Sequence, residues 1–156
     1  CLSKDSIFLD FNTTFSSILS AALKINESIP NHIVNNVKIL YGNLFDKKIA
    51  VLGLSFKAGS DDLRNSPSVK LVDTLHSTGA NVSVHDPYIK DTEPLDKVIQ
   101  DSDIVIISTN HNEFNDPNTI DKIKNCGCKL IYDVWGIFEK QAFPNQQYIK
   151  FGESIK

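Results

Sequence analysis

The 156-residue chain has no methionine, a single tryptophan and three cysteines. No apolar run approaches the roughly 18 residues that a membrane-spanning helix requires, so no span is expected. No charged-then-apolar leader opens the chain. No charge sign dominates: 16 Lys and Arg stand against 19 Asp and Glu, a net charge of −3. That balance lacks the basic footprint of a general nucleic-acid binder. The missing methionine and the start at Cys1 predict a piece of a longer protein. Cys1, Cys126 and Cys128 have no framework spacing, which excludes a disulfide scaffold. Cys126-Gly127-Cys128 is too tight for an easy disulfide and has no nearby His to complete a zinc site. The pair therefore reads as reduced structural thiols, and the cytoplasm is the expected location. His32, His76, His85 and His111 are scattered without ligand spacing, so no metal centre is expected.

What is present is an ordinary globular composition, 41% apolar and 22% charged, long enough to bury a real core. Residues 3–11 are mixed and short, with at most a turn or two of helix. Asn12-Thr13-Thr14 then offers a helix N-cap. Ile18, Ala22, Ile25, Ile29, Ile33, Val37 and Leu40 recur at helical steps, which predicts a helix of about 30 residues ended by Gly42 and Asn43. Pro30 lies inside it and predicts a kink or two abutting helices. So long a stripe cannot be hidden by one small domain, and it should meet another domain or a second chain.

From Lys48 the texture changes. Ile49 to Leu54 is a short continuous apolar run, the pattern of a buried parallel strand. Pro67 opens a helix to about Thr78, with Gly79 as its stop. Asn81 to His85 is a second strand, Leu95 to Gln100 a short helix, and Ile104 to Ile107 a third strand. Asp116-Pro117 starts a helix ending near Asn125. Lys129 to Asp133 is a fourth strand, and Gln147 to Phe151 reads as a fifth, at an edge. This alternation predicts an α/β fold: an open parallel Rossmann-like sheet flanked by helices and preceded by the long helix.

Ligands in such sheets bind beyond the carboxyl ends of the strands. The loop after strand one, residues 55–67, has neither a G-x-G-x-x-G fingerprint nor a P-loop. It does carry Lys57 and Arg64 before a helix N-terminus, cations suited to a phosphate or carboxylate. The equal alternative is a solvated loop with Arg64 paired to Asp61 or Asp62. Asp86 ends strand two where a ribose-gripping acid sits in dinucleotide folds, but without the fingerprint a turn-forming Asp-Pro is the better reading. Cys1 beside Lys4 and Asp5 has the make-up of a tuned nucleophile, or of a chain end without a role. Trp135 reads as packing.

These segments together resemble the UDP-glucose and UDP-N-acetylhexosamine 6-dehydrogenase family, across essentially the whole chain. Val51-Leu52-Gly53-Leu54-Ser55-Phe56-Lys57, then Asp61-Asp62-Leu63-Arg64-Asn65-Ser66-Pro67, matches its V-L-G-L-(A/S)-F-K and D-D-x-R-x-S-P patterns. Val84-His85-Asp86-Pro87-Tyr88 matches V-x-D-P-Y, and Cys1-Leu2-Ser3-Lys4-Asp5 matches the C-(L/I/F)-P-K-D around the family's catalytic cysteine. Ile25-Asn26 with Pro30 resembles the central helix of the N-acetylhexosamine branch.

The resemblance implies an oxidoreductase of polysaccharide biosynthesis that oxidises the C6 alcohol of a UDP-sugar to a carboxylate. NAD would accept two hydrides, and a cysteine would carry the thiohemiacetal and thioester. It implies that residues 1–44 form the catalytic-cysteine segment and central dimerisation helix, and residues 45–156 the UDP-binding domain, with the NAD-binding domain elsewhere. Cys1 matches the nucleophile, Asp5 the water-activating carboxylate and Lys4 a residue beside the nicotinamide. Phe56 and Lys57 match substrate contacts, and Arg64 a residue reaching NAD. The implied partners are the UDP-sugar and a second copy of the chain through the long helix, with neither nucleic acid nor membrane. Two positions depart from the pattern. Ser3 replaces proline, and Trp135 stands where many members carry an arginine that contacts the sugar nucleotide. The rival reading is a non-catalytic nucleotide-binding or dimerisation module. A flavodoxin-like regulator with Asp61, Asp62 and Asp86 as an acidic pocket is a distant third.

Overall fold

The computed structural model describes residues 17–155. Cys1, Lys4, Asp5 and the expected cap at Asn12-Thr13-Thr14 lie outside them. The first element, α1 (Ser17–Tyr41), is a single helix that runs through Pro30; two abutting helices are not formed. Pro30 itself is buried. Only the second half of the helix packs on the domain: Ile33, Val34 and Val37 are fully buried, whereas Ile18 is 83% and Ile25 63% exposed. The last turn is tied down where the Tyr41 hydroxyl donates to Asp103 at 2.7 Å. Burial and that carboxylate push the Tyr41 pKa up to about 12.

Five strands follow: β1 (Lys48–Leu52), β2 (Asn81–His85), β3 (Ile104–Ile107), β4 (Leu130–Asp133) and β5 (Gln147–Lys150). All pair in parallel, in the order β2-β1-β3-β4-β5. The connections carry α2 (Pro67–His76), α3 (Leu95–Ile99) and α4 (Pro117–Asn125), with 3₁₀ turns at Asn112–Asn115 and Lys140–Ala142. Pro67 and Pro117 both sit in the first turn of their helices, behind the side-chain caps Ser66 and Asp116. Such positions suit proline, since its missing N–H would be unpaired there.

Alternating strand residues divide between two apolar layers, as the pleat requires. Ile49, Val51, Ile104, Ile106, Leu130 and Tyr132 face α1 and α2. Ala50, Leu52, Val105, Ile107 and Ile131 face Val98 and Ile99 of α3, Ile123 of α4 and the aromatics Phe114, Phe138 and Phe143. This is the α/β sheet with helices on both faces that the alternation predicted. Among the described residues, no helix is long and apolar enough to cross a membrane.

Candidate functional site

The strand order reverses between β1 and β3, so the connections leaving their carboxyl ends diverge and open a crevice. Gly53 makes the divergence steric. Its φ is +94°, and a Cβ there would lie 2.4 Å from Thr109 Cβ, so only glycine lets the two chains pass this closely. Thr109 returns a bond, its hydroxyl donating to the Ser55 carbonyl at 2.9 Å.

Beside this crossing lies a cavity of about 290 Å³ between α1 and the strand ends, lined by Ile29, Ile33, Phe56, Pro67, Ser108 and Trp135 among others. Its polar groups are largely committed. Trp135 Nε1–H donates to the Ser108 carbonyl at 2.9 Å, and the Ser108 hydroxyl donates to Ser68 Oγ at 2.7 Å. What remains is an apolar, aromatic-edged slot suited to a flat organic group. A wider hollow of about 510 Å³, beside Tyr41, Lys47, Lys129 and Gln147, lies where strands begin, the wrong end of the sheet for a ligand crevice.

The β1–α2 loop places Phe56 on the slot, and Lys57 follows Phe56 in the chain. Its fold is self-contained: Phe56 N–H donates to the Asp62 carbonyl at 2.8 Å, and the Ser66 hydroxyl to the Leu54 carbonyl at 2.7 Å. Of the two readings of Arg64, the acid pairing is formed. Its Nε and Nη2 fork onto Asp62 at 2.9 and 2.8 Å, which holds the Asp62 carboxyl well below the usual carboxylate range. The Arg64 side chain is still 87% exposed, so the guanidinium faces solvent. Lys57 has no carboxylate of the described residues within ion-pair distance, although its charge is felt at Asp62.

Asp86 takes the turn role. It is buried, and its Oδ2 accepts from the Leu54 and Ser55 amides at 2.7 and 2.9 Å, while Oδ1 accepts from Tyr88 N–H at 2.9 Å. Burial raises its pKa, but these three donors and the neighbouring His111 outweigh burial and bring it below normal. This carboxylate is buried and turned to the loop backbone, not presented to a ribose. His111, unassigned in the sequence reading, completes the cluster. Its Nε2 lies 2.9 Å from Ser55 Oγ and 3.1 Å from Asp86 Oδ2, and its Nδ1 accepts from Gly59 N–H at 3.2 Å. The sequence separations of 56 and 25 residues hide this cluster from any local motif.

Ser55, His111 and Asp86 have the composition of a hydrolytic triad but not its wiring. A triad needs the hydroxyl on one ring nitrogen and the carboxylate on the other. Here both meet Nε2, and Ser55 is only 1% exposed. The described residues also do not fit a dinucleotide cofactor by themselves. Gly53 and Gly59 are not a fingerprint: one is spent on Thr109 and the other on His111.

Strand order, crevice and slot define a doubly wound α/β domain of the kind that receives its ligand at a topological switch point. Residues 50–140 match the model of the UDP-glucose/GDP-mannose dehydrogenase family, UDP binding domain, and the chain belongs to that family. It is 34% identical over 146 residues to the UDP-N-acetyl-D-mannosamine dehydrogenase of Pyrococcus horikoshii, covering 90% of this chain and 35% of that protein. It is 35% identical over 139 residues to the UDP-glucose 6-dehydrogenase of Rickettsia conorii, covering 80% and 32%. The solved structure of the P. horikoshii UDP-D-ManNAc dehydrogenase superposes with a TM-score of 0.85 at 30% identity, over 97% of this chain and 38% of that one. The chain thus spans about a third of the length of these relatives.

Proposed function

We propose that this chain supplies the nucleotide-binding part of an NAD-dependent UDP-sugar 6-dehydrogenase, the slot and the β1–α2 loop together holding the UDP moiety. The observation that carries this reading is the slot at the carboxyl ends of β1 and β3, bounded by Phe56, which Lys57 follows in the chain. A planar base gains from burial against Phe56, Pro67 and Trp135. A diphosphate meets the Lys57 ammonium, which forms no ion pair among the described residues.

In the same proposal Cys1 is the nucleophile, Asp5 activates water and Lys4 stands near the cofactor, as the motif match implies. A thiol adding to an aldehyde creates the sp³ centre from which a hydride can depart. NAD would be held by a domain other than this one, with Arg64 reaching toward it. The exposed stripe of Ile18 and Ile25 on α1 would be covered by a second copy of the chain, and the assembled enzyme would work in the cytoplasm.

The decisive measurement is titration of the chain with UDP by calorimetry and thermal shift. Saturating UDP at about 100 times its Kd raises stability by about 2.7 kcal/mol. Phe56→Ala and Lys57→Ala each weaken the affinity by about tenfold, the scale of one lost desolvated contact. Unchanged melting at millimolar UDP would defeat the proposal. Trp135 in place of the family's arginine favours a second reading, a binding module without catalysis. NADH formation from a UDP-sugar by the chain joined to a family NAD-binding domain, abolished by Cys1→Ser, separates the two.

A further inference from the structure

We propose that His111 is a positioning residue for the nucleotide site: its imidazole, buried behind the β1–α2 loop, fixes the backbone that presents Phe56 and Lys57. The inference rests on the reading that UDP binds at that loop.

The ring is 1% exposed and makes no contact with the slot. Nδ1 accepts from Gly59 N–H, and a ring nitrogen that accepts carries no proton, so the hydrogen resides on Nε2. That Nε2–H points between Ser55 Oγ and Asp86 Oδ2. The Ser55 hydroxyl in turn donates to the Lys57 carbonyl at 3.2 Å. Asp86 Oδ2 collects the Leu54 and Ser55 amides. The backbone is thereby gripped at residues 54, 55, 57 and 59, on both sides of Phe56 and Lys57.

The imidazole is held in turn by aromatic faces. Tyr88 stacks on it at 5.0 Å with the planes 27° apart, and Phe114 meets it edge-on at 5.5 Å. The Tyr88 hydroxyl donates to Glu113 at 2.7 Å, which fixes the stacking ring. Groups from the ends of β1, β2 and β3 therefore converge on one imidazole that bonds the loop through Ser55 and Gly59. Protein groups this fully bonded within a desolvated site hold a loop in one geometry far better than side chains in water.

Three variants of the chain test this: His111→Phe keeps the stacking faces and removes both nitrogens, His111→Gln restores an acceptor and a donor, and Ser55→Ala cuts only the link to Lys57. Amide hydrogen exchange is read residue by residue, and UDP affinity by calorimetry. For His111→Phe, exchange at Ser55 to Gly59 accelerates by about tenfold while β3 amides keep their protection, and UDP binds about tenfold more weakly. His111→Gln recovers part of both, and Ser55→Ala shows a smaller change in the same direction. If His111→Phe does not fold, the graded order of Gln and Ser55→Ala decides. Loop amides as protected as wild type in folded variants overturn the proposal, as does UDP affinity that stays at the wild-type value while the loop loosens. If the wild-type chain itself fails to bind UDP, the nucleotide reading falls and with it the role toward ligand. The exchange data then still report whether His111 holds the loop.

Discussion

Asp86 shows how one side chain sets an acid limit on this site. Its folded pKa is depressed, so its contribution to stability is present above the unfolded value of about 3.9 and fades as pH falls through the folded one. As pH falls through that lowered pKa the carboxyl gains a proton and loses acceptor strength toward Leu54, Ser55 and Tyr88. Asp86→Asn should lower stability at pH 7 by about 1–3 kcal/mol, the cost of weakening buried hydrogen bonds. It should also shrink the stability difference between pH 7 and pH 3 in urea titrations. A drop as steep as the wild type's would assign the acid sensitivity to other carboxylates, such as Asp103, which Tyr41 and the Lys48 amide likewise hold below normal against the effect of burial.

At the scale of elements, α1 has two halves with different obligations. Its helical spacing was plain in the sequence, but spacing cannot say which part of a stripe a domain will cover. Val37 is completely buried against the sheet, and Ile25, two turns past the helix start, stands in solvent. Val37→Ala should therefore cost about 1–3 kcal/mol in denaturant unfolding, from lost transfer energy and the cavity left behind. Ile25→Glu should leave domain stability within about 0.5 kcal/mol, as surface changes generally do. If a second copy covers that face, Ile25→Glu also shifts sedimentation from dimer to monomer. An unchanged sedimentation coefficient would remove Ile25 from any such contact.

At the scale of the molecule, the order of strands and helices was legible because each carried a strong local signal. Ile104 to Ile107 could only be an interior strand, the prolines at 67 and 117 marked helix starts, and Gln147 to Lys150 took the edge position its mixed polarity suggested. The loop cations were legible too, but the partner of Arg64 was not, because spacing alone permits both a ligand and Asp62. His111 was invisible for a deeper reason: its role exists only once three strand ends meet, and the four-residue 3₁₀ turn after it has no distinctive pattern. The sequence also could not show that Trp135 would close one side of an apolar slot.

That placement has a practical consequence. The chain's one indole stands at the rim of the crevice, half exposed, with its N–H anchored to the Ser108 carbonyl. Its ultraviolet emission therefore samples the very space a base would occupy. Adding UDP should quench or blue-shift that emission along the same saturation curve as the calorimetric heat. Emission that stays flat while heat is evolved would put the nucleotide somewhere other than beside the indole. The protein thus carries its own optical probe, with no dye or label to be introduced.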